Sequence, residues 1–120
     1  SVHRWTLAQA GSDLYTSTIT LAEILYGIER LPSDQRKELL RSTATDVFAT
    51  FADKVLSFDA NAAVHYSQIV DTRDRLGQPI DGFDAQIAAI CRTNDCALAT
   101  RNTRDFENSG VDLLDPWHDS

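Results

Sequence analysis

The sequence predicts an α/β fold in which a mostly parallel sheet is flanked by helices in three layers. Four short apolar segments with strand character alternate with longer helical patterns, an order typical of parallel sheets with right-handed crossovers. The chain has 120 residues, enough for one hydrophobic core but not for two. An almost wholly apolar helical pattern lies directly before one of the strands, which predicts a buried central helix. We therefore expect a single domain over residues 1–120.

The first elements follow from apolar spacing and from residues that end helices. Residues 2–9 are predicted as the last turns of a helix, with Gly11 as its stop. Residues 20–31 are predicted as a helix ended by Pro32, and a long helix capped by Ser33 follows. A further helix is expected after Asp59. The predicted strands are residues 13–17, 54–58, 96–100 and 111–115.

The stretch from Asp81 to Phe106 organises the rest of the chain. Its helix is apolar on nearly every side, so its acidic start, with Asp81 and Asp84, is expected to open onto a wet cleft. The strand that follows carries a group of polar residues to its carboxyl end: Thr100, Arg101, Asn102, Arg104 and Asp105. In an open parallel sheet, ligands bind at that edge.

Composition narrows the classes of function. A formal net charge of -7 argues against binding nucleic acid through broad phosphate neutralisation, and it suits a divalent cation or a basic protein partner. Cys91 and Cys96 are the two cysteines, and their positions indicate neither a disulfide nor a zinc site. No apolar run approaches the ~18 residues of a membrane span. We expect a soluble, cytoplasmic protein with no membrane contact.

Three carboxylates, Glu23, Asp84 and Asp105, are candidates for catalysis and metal binding. Each also fits a helix-capping pattern, paired with Thr20, Asp81 and Asn102 respectively. For any single acid, capping is the simpler interpretation, because caps stabilise helices by roughly 0.5–2 kcal/mol. All three acids, however, are predicted at one sheet edge, where clustered carboxylates repel one another unless a cation is present. Oxygen ligands of this kind suit Mg²⁺ or Mn²⁺, which activate water and stabilise phosphate charge during hydrolysis.

Four further polar residues near these strand ends have two interpretations each. The hydroxyls of Ser17 and Thr100 either cap a helix or orient a metal-bound carboxylate. Arg101 and Arg104 either grip a substrate phosphate or form weak surface ion pairs. The three histidines show no ligand spacing, and we expect them at the surface.

Three motifs, taken together and in order, resemble the PIN-domain ribonucleases and specifically the VapC-type toxins of toxin-antitoxin pairs, including the FitB-like branch. The motifs are STITLAEILYGI, PIDGFDAQIAAI and LATRNTRDFENSGVDLLDPW. The resemblance implies a metal-dependent endoribonuclease that inhibits translation. It implies metal-binding roles for Glu23 and Asp84, with Asn102 and Asp105 as the remaining polar site residues. It also implies RNA as substrate, a cognate antitoxin as partner, and a homodimer or a toxin-antitoxin hetero-oligomer.

The chain departs from this family at its beginning. The family starts with a strand that ends in an Asp-Thr-Asn type motif, whose Asp is a metal ligand, and nothing before Val2 matches it. We therefore expect a sheet without its first, central strand, and a chain that is poorly folded and inactive by itself. Two alternatives remain at this stage: a non-catalytic α/β binding or signalling module with an acidic pocket, and an inactive PIN-fold remnant.

Overall fold

A computed structural model describes residues 7–9, 14–100 and 102–114, with side chains from residue 15 onward. Five strands form one sheet in the order β3-β2-β1-β4-β5. The strands are β1 (Leu7–Gln9), β2 (Leu14–Ser17), β3 (Val55–Leu56), β4 (Cys96–Ala99) and β5 (Leu113–Leu114). Strands β2 to β5 fall within the four predicted segments. They all run in the same direction, which confirms the mostly parallel α/β fold.

The centre of the sheet differs from the prediction. Residues 2–9 were predicted as helix, but Leu7–Gln9 form β1, which pairs antiparallel with both β2 and β4; residues 2–6 lie outside the described part. Without this strand, the facing backbone groups of β2 and β4 would be unpaired, at roughly 1–3 kcal/mol for each buried group. Helical preferences amount to less than about 0.7 kcal/mol per residue, so strand pairing dominates. Leu7–Gln9 therefore occupy the position between β2 and β4.

Four α-helices connect the strands, and short side chains cap each of them. The helices are α1 (Thr18–Glu29), α2 (Gln35–Thr50), α3 (Ala60–Arg75) and α4 (Gly82–Thr93). Asp59 and Asp81 cap α3 and α4, as the sequence predicts. The predicted cap of α2 was wrong by one residue: Asp34, not Ser33, accepts the hydrogen bond from the Lys37 amide at 2.9 Å. A carboxylate acceptor also interacts favourably with the positive end of the helix dipole.

Helix α4 is the centre of the core. It packs against α3, α1 and β4, and it contributes fully buried side chains such as Ile87 and Ile90. Cys91 and Cys96 are also buried and free. Burial raises the pKa of both thiols above the usual value, because the protein interior disfavours a thiolate. The prediction of a buried helix with an acidic, exposed start is confirmed.

Helix α2 has few contacts apart from α1. Arg41 on α2 forms ion pairs with Glu29 of α1 and Glu38, each at 2.7 Å, and these acids raise the pKa of the Arg41 guanidinium, chiefly through the hydrogen bond with Glu29. Helical spacing predicts an apolar stripe on α2 formed by Leu40, Ala44, Val47, Phe48 and Phe51. In the structure Leu40, Val47 and Phe51 are exposed, and Ala44 and Phe48 are half-buried. No helix in the described ranges has the length and apolarity needed to cross a membrane.

Candidate active site

Glu23 lies in the second turn of α1, where it has no part in starting the helix. The cap is Ser17, whose Oγ accepts a hydrogen bond from the Thr20 amide at 3.1 Å and lies 3.1 Å from Thr20 Oγ1. Both of these side chains are fully buried. The predicted capping pair of Thr20 and Glu23 is therefore wrong. Helix stability does not explain the carboxylate of Glu23.

The side chain of Glu23 lines a cavity shared by α1 and the first turn of α4. The cavity has a volume of ≈ 560 Å³ and is lined by Ala22, Glu23, Tyr26 and Phe83. The Oε1 atom of Glu23 is buried. Phe83, the residue before Asp84, lies in the first turn of α4, so the cavity joins Glu23 of α1 to the helix start that carries Asp84.

Asp84 is half-buried in the first turn of α4, three residues after Asp81, which caps the helix. Asp81 Oδ2 accepts hydrogen bonds from the amides of Phe83 at 3.0 Å and Asp84 at 3.3 Å. Asp81 thus accounts for the cap. A negative charge at Asp84 interacts favourably with the positive end of the α4 dipole.

The third predicted acid, Asp105, lies in a 3₁₀ helix (Thr103–Phe106) that follows β4. Buried Thr100 accepts a hydrogen bond from the Asn102 amide at 3.0 Å, so its hydroxyl shapes the loop. Asn102 makes no side-chain capping bond, and its side chain, like that of Asp105, is exposed. Because β2 and β4 run in the same direction with only β1 between them, Ser17 and Thr100 end at the same sheet edge.

Asp105 lines a different cavity from Glu23. This second cavity measures ≈ 330 Å³ and is lined by Arg73, Gln78, Arg104, Asp105 and Glu107. Arg104 is exposed beside it, whereas Arg101 lies outside the described residues. Within residues 15–100 and 102–114, no three His, Cys, Asp or Glu side chains come close enough together to hold a metal ion. The metal-binding roles of Glu23, Asp84 and Asp105 stay predictions.

Sequence reasoning missed Arg73 as a residue of this region. Helical spacing predicts Arg73 on one side of α3 together with Ala62, Tyr66, Ile69 and Val70. In the structure Ala62, Ile69 and Arg73 are buried. An arginine within an apolar helical stripe was the available signal, since charged residues are rarely buried without partners. His65 was expected at the surface, but its Nδ1 atom is buried and has no hydrogen-bond partner among the described residues.

A mostly parallel sheet with a buried central helix, and acids at the start of α4 and along α1, define a PIN-like α/β domain. The family model described as "PIN domain" matches residues 1–110. The chain belongs to the PIN-domain family.

Three curated relatives narrow the comparison within the family. Plasmid stability protein StbB of Pseudomonas syringae pv. tomato is 38% identical over 114 residues, covering 94% of this chain and 82% of StbB. VapC ribonuclease Y4jK of Sinorhizobium fredii is 32% identical over 118 residues, covering 98% and 84%. Toxin FitB of Neisseria gonorrhoeae is 33% identical over 108 residues, covering 89% and 78%. The resemblance to VapC and FitB proteins is confirmed.

A solved structure agrees with these relatives. A chain from the structure of FitAB bound to the IR36 DNA fragment superposes with a TM-score of 0.82 at 32% identity, covering 88% of this chain and 75% of that one. A fold similar to that of this chain therefore occurs in FitAB, which is bound to DNA in that structure.

Proposed function

We propose that this chain is the toxin of a toxin-antitoxin pair and acts as an endoribonuclease that needs Mg²⁺ or Mn²⁺. The observation that carries the proposal is the position of Glu23: a carboxylate with a buried oxygen does not cap its helix and shares a cavity with Phe83, the residue before Asp84. The relatives named VapC ribonuclease and Toxin FitB supply the reaction and the biological role. Inhibition of translation would follow from cleavage of RNA.

The two acids fit a hard divalent cation. Mg²⁺ is commonly held by only one or two carboxylates, with waters and substrate phosphates completing its coordination. Glu23 and Asp84 would hold the ion, while Asn102 and Asp105 would contribute polar groups from the loop after β4. A bound ion would activate water and offset charge on the phosphate. Arg104, exposed beside the second cavity, and Arg101 would hold the RNA backbone by charge-assisted hydrogen bonds.

We also propose that these 120 residues cleave RNA slowly by themselves. No third acid joins Glu23 and Asp84 in the described ranges, and two carboxylates hold a cation less firmly than three. The same feature favours a second candidate function, a PIN-fold module that binds its partner without catalysis. Assays should therefore compare this chain with one extended by the Asp-bearing strand that begins the family's proteins.

Glu23→Gln tests the proposed function directly. The unmodified protein should cleave RNA when Mg²⁺ or Mn²⁺ is present and should stop when EDTA is added. The Gln variant should lose activity by roughly tenfold or more, since it removes a charge from the cation site. Cleavage is measured on labelled RNA with denaturing gels, and cation binding is measured separately by calorimetry.

The matched control is Glu29→Gln on the same helix. Glu29 is exposed and pairs with Arg41 and Lys37, and surface pairs of this kind contribute about 0–1 kcal/mol. Its replacement should leave cleavage unchanged. Cleavage that persists in EDTA, or an equal loss in both variants, would contradict the proposed site. No cleavage by either chain length, with antitoxin binding retained, would favour the non-catalytic module.

The partner surface is proposed on α1 and α2, where large apolar side chains face solvent. The sequence predicts more large apolar side chains on these two helices than one small core needs: Leu25, Tyr26, Leu39, Leu40, Phe48 and Phe51. Of these, Leu25 and Phe48 are half-buried and the other four are exposed, as are Val47 and Phe83. Tyr26 and Phe83 also line the Glu23 cavity. We propose that an apolar antitoxin segment covers this face and directs a basic side chain toward the acids. A net charge of -7 favours such a partner electrostatically.

Leu39→Asp should weaken antitoxin binding by about tenfold or more, because a charge replaces a side chain that is 67% exposed in the free chain and buried in the complex. The dissociation constant is measured by calorimetry with the protein encoded beside this gene. Val64→Asp is the matched control, since Val64 is an exposed apolar residue on α3. Equal weakening by both variants would place the interface elsewhere, and solution scattering would show whether a homodimer uses the same face.

A further inference from the structure

Arg73 is a buried arginine in the last turn of α3. Only 6% of the residue is exposed, although a guanidinium is strongly hydrated when free. Burial of such a group is tolerated where hydrogen bonds replace the lost water. Its neighbour two residues along, Arg75, has a side chain that is 79% exposed and pairs with Asp71 on the helix surface. The last turn of α3 therefore carries one buried arginine, Arg73, and one exposed arginine, Arg75.

The donors of Arg73 reach three main-chain carbonyls from two separate segments. Its Nε donates to Gln78 O at 2.6 Å, in the turn that leaves α3. Its Nη1 donates to Asp105 O at 2.8 Å and to Glu107 O at 3.0 Å. These acceptors are 32 and 34 residues away in sequence. One side chain thus joins the α3–α4 connection to the loop after β4.

Other contacts hold the same loop, but at different points. Phe106 is buried in the core, and Ser109 Oγ donates to Phe106 O at 2.6 Å. Arg92 Nη1 donates to Ser109 O at 3.4 Å. These contacts fix the middle and the end of the loop. Arg73 is bonded to the carbonyl of Asp105 itself, whose amide donates to Asn102 O at 2.9 Å, so Arg73 ties this local turn to α3.

We propose that Arg73 is a positioning residue for the proposed nuclease: it holds the 3₁₀ helix Thr103–Phe106 in place and thereby orients Asn102 and Asp105 toward RNA. The proposal rests on the function proposed above. Arginine suits this role because its planar fork presents donors in fixed directions to carbonyls on two sides. A lysine carries its donors on a single nitrogen at the end of a flexible chain, so it does not reproduce the fixed, spread directions of the arginine fork.

The test is Arg73→Lys, with Arg75→Lys as the matched control, since both keep the charge and lie in the same turn. Hydrogen exchange followed by mass spectrometry should show the peptide covering residues 102–110 exchanging about tenfold faster in the Arg73 variant alone. The kcat for RNA cleavage should fall by about 10- to 100-fold with little change in KM, because the loop is displaced rather than lost. Thermal unfolding is recorded for each variant.

Each possible result of these experiments either supports or overturns the proposed role of Arg73. Unchanged exchange in residues 102–110 would overturn it, and so would faster exchange with an unchanged kcat. If the unmodified protein cleaves no RNA, the proposed function fails, and the exchange result alone then shows whether Arg73 holds the loop. If the variant does not fold, NMR of the unmodified chain replaces it: the Nε–H of Arg73 should exchange more slowly than that of Arg75, and equal rates would overturn the proposal.

Discussion

Asp84→Asn should lower RNA cleavage by roughly 100-fold or more while leaving the domain folded. Loss of groups that merely support metal ligands costs about 10–100-fold, so under the proposed metal-binding role the loss of the Asp84 charge should cost at least as much. The cap of α4 is Asp81, which accepts the amide hydrogen bonds at the helix start and remains in place. We therefore expect the free energy of unfolding to change by less than about 1 kcal/mol. Cleavage rates and urea unfolding measure the two effects.

Asp81→Asn is the matched control for this change. It removes one negative charge from the same helix end, and asparagine caps helices about as well as aspartate. Cleavage by this variant should stay near that of the unmodified protein. If both substitutions reduced cleavage equally, the effect would come from the general charge of the helix start, and the proposed role of Asp84 would be wrong.

Ile87→Ala should destabilise the domain by about 2–5 kcal/mol, a large effect for a single core substitution. Ile87 is fully buried at the centre of α4, in the cluster that also contains Ile90 and Leu98. Against a typical net stability of about 5–15 kcal/mol, this loss is a large fraction. Urea unfolding monitored by circular dichroism gives the difference directly.

Leu76→Ala is the control for this stability measurement. Leu76 ends α3 with 53% of its surface exposed, and surface substitutions usually change stability by no more than about 0.5 kcal/mol. Similar losses from Ile87 and Leu76 would mean that α4 is not the centre of the core. A change in the slope of unfolding against urea would instead indicate an altered denatured state.

Part of the candidate site could be predicted because its signals are local. The caps at Asp59 and Asp81 are short-range hydrogen bonds between a side chain and amides two or three residues away. The apolar pattern of α4 is also local in sequence, and it predicts burial because every side of a fully enclosed helix must be apolar. The cap of α1 was harder to predict, because both Ser17 and Thr20 are good capping residues. The choice between them depends on where β2 ends.

The sequence by itself determined the α/β class, the four parallel strands, the buried α4 helix and the candidate acids. Tertiary structure alone decided that Leu7–Gln9 form the central strand, that Glu23 and Phe83 share a cavity, and that Arg73 holds the Asp105 loop. The physical reason is sequence distance. Helices and caps form among neighbours, whereas β1 pairs with a strand about 90 residues away. Such contacts depend on which backbone groups still lack partners once the rest of the chain has folded.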